Sequence, residues 1–351
     1  MTDSCKVSAG ATSWLGRQRH TRPRPWSRTF AETCAAIGSL MLSWRLLLAT
    51  GETRFADAFE RTMYNAVLPG LSLDGRSFFY TNPLRLRDDP ITSSVAPGAR
   101  QAWYPCACCP PNLMRTLSTF EHHIATVDAA GLQLHQFAAG IIETEIGGQP
   151  VRLRVETDQP WQGSVVIIVE SAPADAWSLS IRLPAWLQAG SARVAGEPLE
   201  MDPTASALVA ERTWSIGDRV ELELEMPPRL TLPHPAIDAV RGCAAIERGP
   251  LVYCVEQADL PTGANLEDVE IEIDAPPTLT RAKDIPDEIL AISVQARVRG
   301  DAALGQQWPY TAMSDVHATP RVATAVTAIP YFAWANRETG PMRVWLPISQ
   351  T

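Results

Sequence analysis

Three cysteines crowd into Cys106-Ala107-Cys108-Cys109, and another stands two residues after a carboxylate in Glu32-Thr33-Cys34. Thiolate and carboxylate are among the ligands that a tetrahedral zinc ion takes. Each cluster lies at the start of a predicted helix, the second being followed by Pro110-Pro111-Asn112. A helix start carries partial positive charge and free N–H groups, which lower a thiol's pKa and hold its thiolate. A bound metal goes further and deprotonates a coordinated thiol outright. Two short clusters far apart in the chain can therefore form one site if both helix starts face one pocket. The plainer alternative is inert burial, since free cysteine is among the most buried residue types. His122-His123 offers further nitrogen ligands, but it falls late in a predicted helix, away from the cysteines, where a surface or packing role is expected. Trp177, Trp186, Trp334 and Trp345 could stack on a sugar; in β-structure such residues more often fill the core.

The elements that position these clusters are readable from the apolar spacing. From Glu32 the pattern is helical, with Ala35, Ala36, Leu40, Leu42, Leu46 and Leu47 apolar nearly all round, which predicts a buried helix ending at Gly51. A second helix is expected from about Thr53 to Leu68, where Phe55, Phe59, Met63 and Val67 recur every fourth residue. Leu71 to Asp89 reads as a loop or short hairpin, with Asp74-Gly75 as its turn and Phe78-Phe79-Tyr80 as a strand. A third helix is predicted from about Pro111 to Val127, its prolines suited to a first turn whose N–H groups have no partner anyway. After Gly131 the grammar becomes β. Val151 to Glu156, Ser164 to Glu170, Ser178 to Leu183 and Arg219 to Met226 are strand-like, several with clean alternation, and turns punctuate them. Pro227 to Pro235 looks like a linker, followed by strand patterns at 243–247, 251–255, 269–273, 330–337 and 342–346.

The expectation is thus a multidomain α+β chain. Residues 1–30 form an atypical leader with six basic residues against one acidic, read as a poorly ordered segment in preference to a basic arm. Residues 31–127 form a helical domain, 128–229 together with 330–351 a β-sandwich, and 230–329 a second β domain. Composition excludes some classes. The formal net charge of -9 argues against a general nucleic-acid binder and against an anionic membrane surface. The longest apolar run, Cys34 to Thr50, is interrupted by Ser39, Ser43 and Arg45 and is short for a membrane span. Met1 to Gly16 lacks a charged head followed by an apolar core, so no secretory signal is expected. Seven cysteines with this crowding suit thiolate or metal chemistry in a reducing cytoplasm better than a disulfide framework.

The same residues carry a family resemblance. Glu32-Thr-Cys-Ala-Ala-Ile-Gly38, Leu71-Ser-Leu-Asp-Gly75, Phe79-Tyr-Thr-Asn-Pro83, Trp103-Tyr-Pro-Cys-Ala-Cys-Cys-Pro-Pro-Asn112 and Pro330-Tyr-Phe-Ala-Trp-Ala-Asn-Arg337 resemble glycoside hydrolase family 127, the β-L-arabinofuranosidases. The likeness runs from about Phe30 to Leu346 and corresponds to the C-terminal part of the family's chain. It implies the last helices of an (α/α)6 barrel followed by two β-sandwich domains. It also implies a zinc ion held by Glu32, Cys34, Cys108 and Cys109, with Cys108 attacking the anomeric carbon of an L-arabinofuranose-containing glycoside. The covalent glycosyl-cysteine would then be hydrolysed with retention. Tyr80 corresponds to a sugar-contacting tyrosine, and Cys106 receives no ligand role.

One departure matters. Retaining hydrolysis needs a second group to protonate the leaving oxygen and then activate water. The family's acid–base glutamate lies some sixteen residues before Glu32; Gly16 stands there, and no glutamate precedes Glu32. Three readings follow. The chain is an arabinofuranosidase completed by a separate chain or by a homo-oligomer, or a catalytically dead remnant that binds zinc or carbohydrate, or a structural zinc module.

Overall fold

The computed structural model describes residues 32–87, 99–104, 107–299 and 320–349. The chain divides into two compact units: the first takes Thr33–Leu68 and Pro105–Pro227, the second Pro69–Tyr104 and Pro228–Thr351, with the sequence border also falling between Glu32 and Thr33.

The first unit opens with α1 (Thr33–Thr50) and α2 (Arg54–Thr62), and α2 runs on through a π-turn at Met63–Val67. Phe59, Met63 and Val67 of the every-fourth-residue pattern are buried, as the spacing predicts. α3 covers Cys109–Ser118 with prolines in its first turn. The remainder is a β-sandwich. Its four-stranded sheet runs in the order Ala207–Arg212, Trp177–Arg182, Gly131–Leu134, Ala125–Val127. Its six-stranded sheet runs Gly140–Ile146, Gln149–Thr157, Ser164–Ser171, Arg219–Leu224, Gly190–Val194, Glu197–Leu199. Alternate residues of both sheets meet in one core, Leu132, Leu134, Leu179 and Ile181 from the first and Leu153, Val155, Val220 and Leu222 from the second.

A buried ion-pair network ties the helices to this sandwich. Arg182, fully buried, donates to Asp57 at 2.6 Å, to Glu60 at 2.7 Å and to the carbonyl of His135 at 2.6 Å. The Trp186 indole donates to the other Glu60 oxygen at 2.9 Å. Every oxygen and guanidinium nitrogen in this cluster that faces inward therefore has a charged or hydrogen-bonding partner, which is the condition for burying charge without a large penalty.

The second unit is built on a ten-stranded sheet. Its central strands, Cys243–Arg248 and Leu251–Glu256, are buried at every position. Arg85–Leu86 joins as an edge by pairing with Met342–Arg343. Arg100 packs over the Phe79 ring at 4.5 Å and donates to the carbonyls of Trp334 (2.6 Å) and Pro69 (3.0 Å). Phe79 stacks on Trp334 with centroids 4.5 Å apart.

Four sequence expectations are corrected. The final strands do not return to the 128–229 sandwich. Pro330 pairs with Tyr253, Met342 with Glu256 and Leu346 with Ala244, all within the second unit. The first unit's sheets already cover each other's apolar faces, so that sandwich has no vacant slot for them. Residues 69–104 likewise belong to the second unit rather than to a helical domain spanning 31–127, because Arg100, Phe79 and Arg85–Leu86 find their partners there. The turn at Gly75 does form as predicted, closed by the Leu71–Phe78 bridge, and Gly75 has φ +72°. The third helix stops at Ser118 instead of reaching Val127, and Ala125–Val127 is a strand paired with Gly131–Leu134. Asp128 accepts from the N–H groups of Ala130 and Gly131, and this side-chain-capped turn closes a hairpin that overrides the helical spacing. Finally, α1 buries Ile37, Leu40, Ser43 and Leu47 but leaves Met41, Leu42 and Leu48 exposed at 39%, 52% and 57%, so it is not buried all round. By length and composition alone α1 would suffice to cross a membrane; its inner face instead packs on α2 and α3.

Candidate metal centre

α1 and α3 bring their N-terminal ends together in the first unit. Cys34 is the second residue of α1, Cys109 opens α3 and Cys108 is its N-cap. Pro110 and Pro111 supply the fixed φ of the first helical turn without wasting a donor, which is why the helix can begin directly at the cysteine pair. The Cys34 and Cys109 sulfurs lie 3.5 Å apart, and those of Cys108 and Cys109 3.8 Å apart. With Glu32, immediately before α1, one ligand atom from each of the four residues lies within 4.8 Å of the others. Tetrahedral zinc with sulfur ligands at about 2.3 Å has sulfur–sulfur edges of about 3.8 Å, so the spacing of the thiols suits that ion with small adjustments. A cluster of three sulfurs and one carboxylate is also the donor set that zinc prefers over magnesium or calcium.

The electrostatics point the same way. Cys109 is buried, whereas Cys34 and Cys108 are half-buried. The Cys109 thiol is pushed well above the usual cysteine range, first by its hydrogen bond with Cys34, then by burial and by the neighbouring thiols. Three thiols this close cannot ionise together unaided; a divalent cation among them would reverse that balance. Cys34 and Cys108 are both more exposed than Cys109, and both stand at helix N-termini.

The remaining predicted residues divide. Tyr80 lies in the second unit, half-buried, its N–H donating to the Tyr104 hydroxyl at 3.2 Å and its ring edge-on to Tyr104. Cys106 lies outside the described residues. His123 stacks on Phe59 at 5.2 Å and meets Trp44 edge-on at 4.9 Å, with burial lowering its pKa, so it packs rather than ligates; His122 is exposed. Trp177 and Trp334 are core residues, 3% and 1% exposed. Sequence reasoning passed over Asn112, whose amide donates to the Cys34 sulfur at 3.2 Å. Its signal was its place three residues after Cys109, on the same face of α3.

Comparison with known proteins gives the family. Models of the catalytic, middle and C-terminal domains of glycoside hydrolase family 127 match residues 10–122, 131–226 and 228–347, in the order of the chain. The chain belongs to glycoside hydrolase family 127. A family 127 relative, the non-reducing end β-L-arabinofuranosidase of Bifidobacterium longum subsp. longum, is 30% identical over 341 residues, covering 92% of this chain and 49% of that protein. A crystal structure of a family 127 β-L-arabinofuranosidase from Geobacillus stearothermophilus T6 superposes with a TM-score of 0.84 at 32% identity, covering 93% of this chain and 51% of that one. A further structure, described as a glycoside hydrolase, gives a TM-score of 0.85 at 33% identity, covering 93% and 54%. The chain therefore spans about half the length of the family 127 relatives it matches.

Proposed function

We propose that this chain carries the nucleophile-bearing part of a retaining glycosidase that acts on β-L-arabinofuranosides. Glu32, Cys34, Cys108 and Cys109 would hold zinc, Cys108 would be the nucleophile and Tyr80 would contact the sugar. The observation that carries this reading is the convergence of four ligand atoms within 4.8 Å at two helix starts, in a member of this family. Bound zinc would keep the sulfurs ionised at neutral pH. In the first half-reaction the Cys108 sulfur forms a bond to the anomeric carbon as the bond from that carbon to the leaving oxygen breaks, and the leaving oxygen takes up a proton. In the second, water adds to the anomeric carbon, loses a proton, and the sulfur departs with its electron pair.

The proton donor is the weak point, since Gly16 stands where the family's glutamate is expected. We therefore propose slow turnover by this chain alone, raised by a partner, either a complementing chain or a second copy of this one, that places an acid–base group at the site. The second reading, zinc binding without turnover, is favoured by the same residue. The crowded free thiols suit a reducing compartment, and we place the protein in the cytoplasm. The test of the metal site is zinc content after purification. One equivalent is expected for the parent chain, and loss of most of it for Cys34→Ala and Cys109→Ala. Full zinc retention in Cys109→Ala would overturn the ligand set.

A further inference from the structure

Asn112 is half-buried in the first turns of α3, and both ends of its amide are engaged. One end lies 2.8 Å from Arg115 Nη1, the other 3.2 Å from Cys34 Sγ. A guanidinium can only donate, so the atom facing Arg115 must be the amide oxygen. The amide nitrogen is thereby obliged to present its N–H to sulfur. Arg115 itself is exposed on the solvent side of α3, nearly two turns along from Cys108 and Cys109. The chain Arg115–Asn112–Cys34 thus links the two helix starts through a donor aimed at one of the sulfurs.

We infer that Asn112 is a positioning residue for the metal centre: its amide N–H, held in orientation by Arg115, fixes the Cys34 sulfur as a ligand. This rests on the zinc reading above and deepens it. A sulfur bound to a divalent cation keeps much negative charge and several lone pairs. An N–H directed at one of them stabilises that charge and fixes the sulfur's rotamer, so the remaining lone pairs face the site. Cys34 is the ligand that needs this most. Cys108 and Cys109 are held by a proline-stiffened turn, whereas Cys34 reaches the site from another helix.

The test compares the parent chain with Asn112→Leu, which keeps the shape and removes the donor, Asn112→Asp, which turns an acceptor toward sulfur, and Arg115→Ala. Zinc affinity is measured by competition with a chromogenic chelator. The cobalt-loaded proteins are examined for their sulfur-to-metal charge-transfer band, and the metal-free proteins for thermal unfolding. Asn112→Leu should bind zinc roughly 10- to 100-fold more weakly, the usual cost of losing a ligand's hydrogen-bond partner. Asn112→Asp should lose at least as much. Arg115→Ala, at an exposed position that folding tolerates, should lose several-fold and shift the cobalt band in the same direction. Metal-free unfolding temperatures should not change. Parent-like affinity and cobalt spectrum in both Asn112→Leu and Arg115→Ala would overturn the assignment while leaving the metal centre standing. Weaker zinc binding matched by an equal loss of metal-free stability would make Asn112 structural and overturn it too. A parent chain that binds no zinc would overturn the metal centre, and Asn112's role with it.

Discussion

Beside the clustered thiols, the first unit holds a second group whose protonation is governed by its surroundings. His135 is 8% exposed, with Nε2 2.8 Å from the Thr126 hydroxyl and its ring edge-on to Trp44. Burial, and secondarily the charge of Arg182, lowers its pKa from 6.5 to about 4. Its folded pKa lies below its unfolded one, so between these values the unfolded chain binds the extra proton and the folded chain does not. Stability should therefore fall as pH drops from about 6.5 towards 4, by about 3 kcal/mol if the whole shift is expressed. Urea unfolding of the parent and of His135→Gln across that range would show it: the variant should lose this part of the pH dependence, and identical slopes would refute the prediction. At this scale the sequence was legible where identity and spacing suffice. Cys108 and Cys109 could be singled out because thiols cluster so rarely beside Pro-Pro, and Cys34 because it follows Glu32 by two residues at another helix start. Asn112 and His135 could not, since their roles depend on partners, Cys34 and Arg182, whose proximity only the fold creates.

Elements were legible when one pattern dominated. The alternation in Arg219–Leu224 announced a half-buried strand, and the four-residue recurrence of Phe59, Met63 and Val67 announced α2. The reading failed at residues 119–127, where a turn capped by Asp128 outweighed an apolar helical spacing. It failed again at 330–346, where the strand expected over 330–337 ends at Pro330 and gives way to a 3-10 turn at Tyr331–Ala333, and where the short strands at 342–343 and 346–347 join the second unit's sheet, because a strand's alternation does not name its neighbour. Two glycines put this scale to the test. A Cβ at Gly163 would sit 1.8 Å from the Leu224 carbonyl oxygen, where the neighbouring strands are joined by a 3.0 Å hydrogen bond. Gly163→Ala must part the backbones and should cost about 2–4 kcal/mol of unfolding free energy. Gly38, inside α1, meets nothing within 4 Å, so Gly38→Ala should instead stabilise by up to about 1 kcal/mol. Equal effects of the two substitutions in chemical denaturation would contradict the packing described.

For the whole molecule the decisive fact is length. The chain spans about half of its relatives' length and holds the four-residue cluster that could bind a metal; on the proposed reading it is the proton donor that this sequence does not supply at the expected position. Loss of general acid–base assistance is typically worth about 10²–10⁴-fold in rate, and that is the deficit expected for the chain alone on an aryl β-L-arabinofuranoside. Whatever turnover remains should vanish in Cys108→Ser. Full family-level turnover, abolished by that substitution, would mean that another residue of this chain donates the proton.

The edge pairing of Arg85–Leu86 with Met342–Arg343 bears on heredity as much as on structure. The stretch matched by the C-terminal domain model begins at residue 228, yet the sheet it forms draws a strand from residues 85–86 and is capped by a half-buried arginine from position 100. A gene fragment starting at residue 228 would encode a sheet stripped of that edge and of the cation that caps the carbonyls of Phe332 and Trp334. Such a stretch cannot be passed between proteins like a bead on a string. Recombination that respects this architecture has to carry residues 69–104 along with 228–351, which means carrying the cysteine-bearing α3 that lies between them.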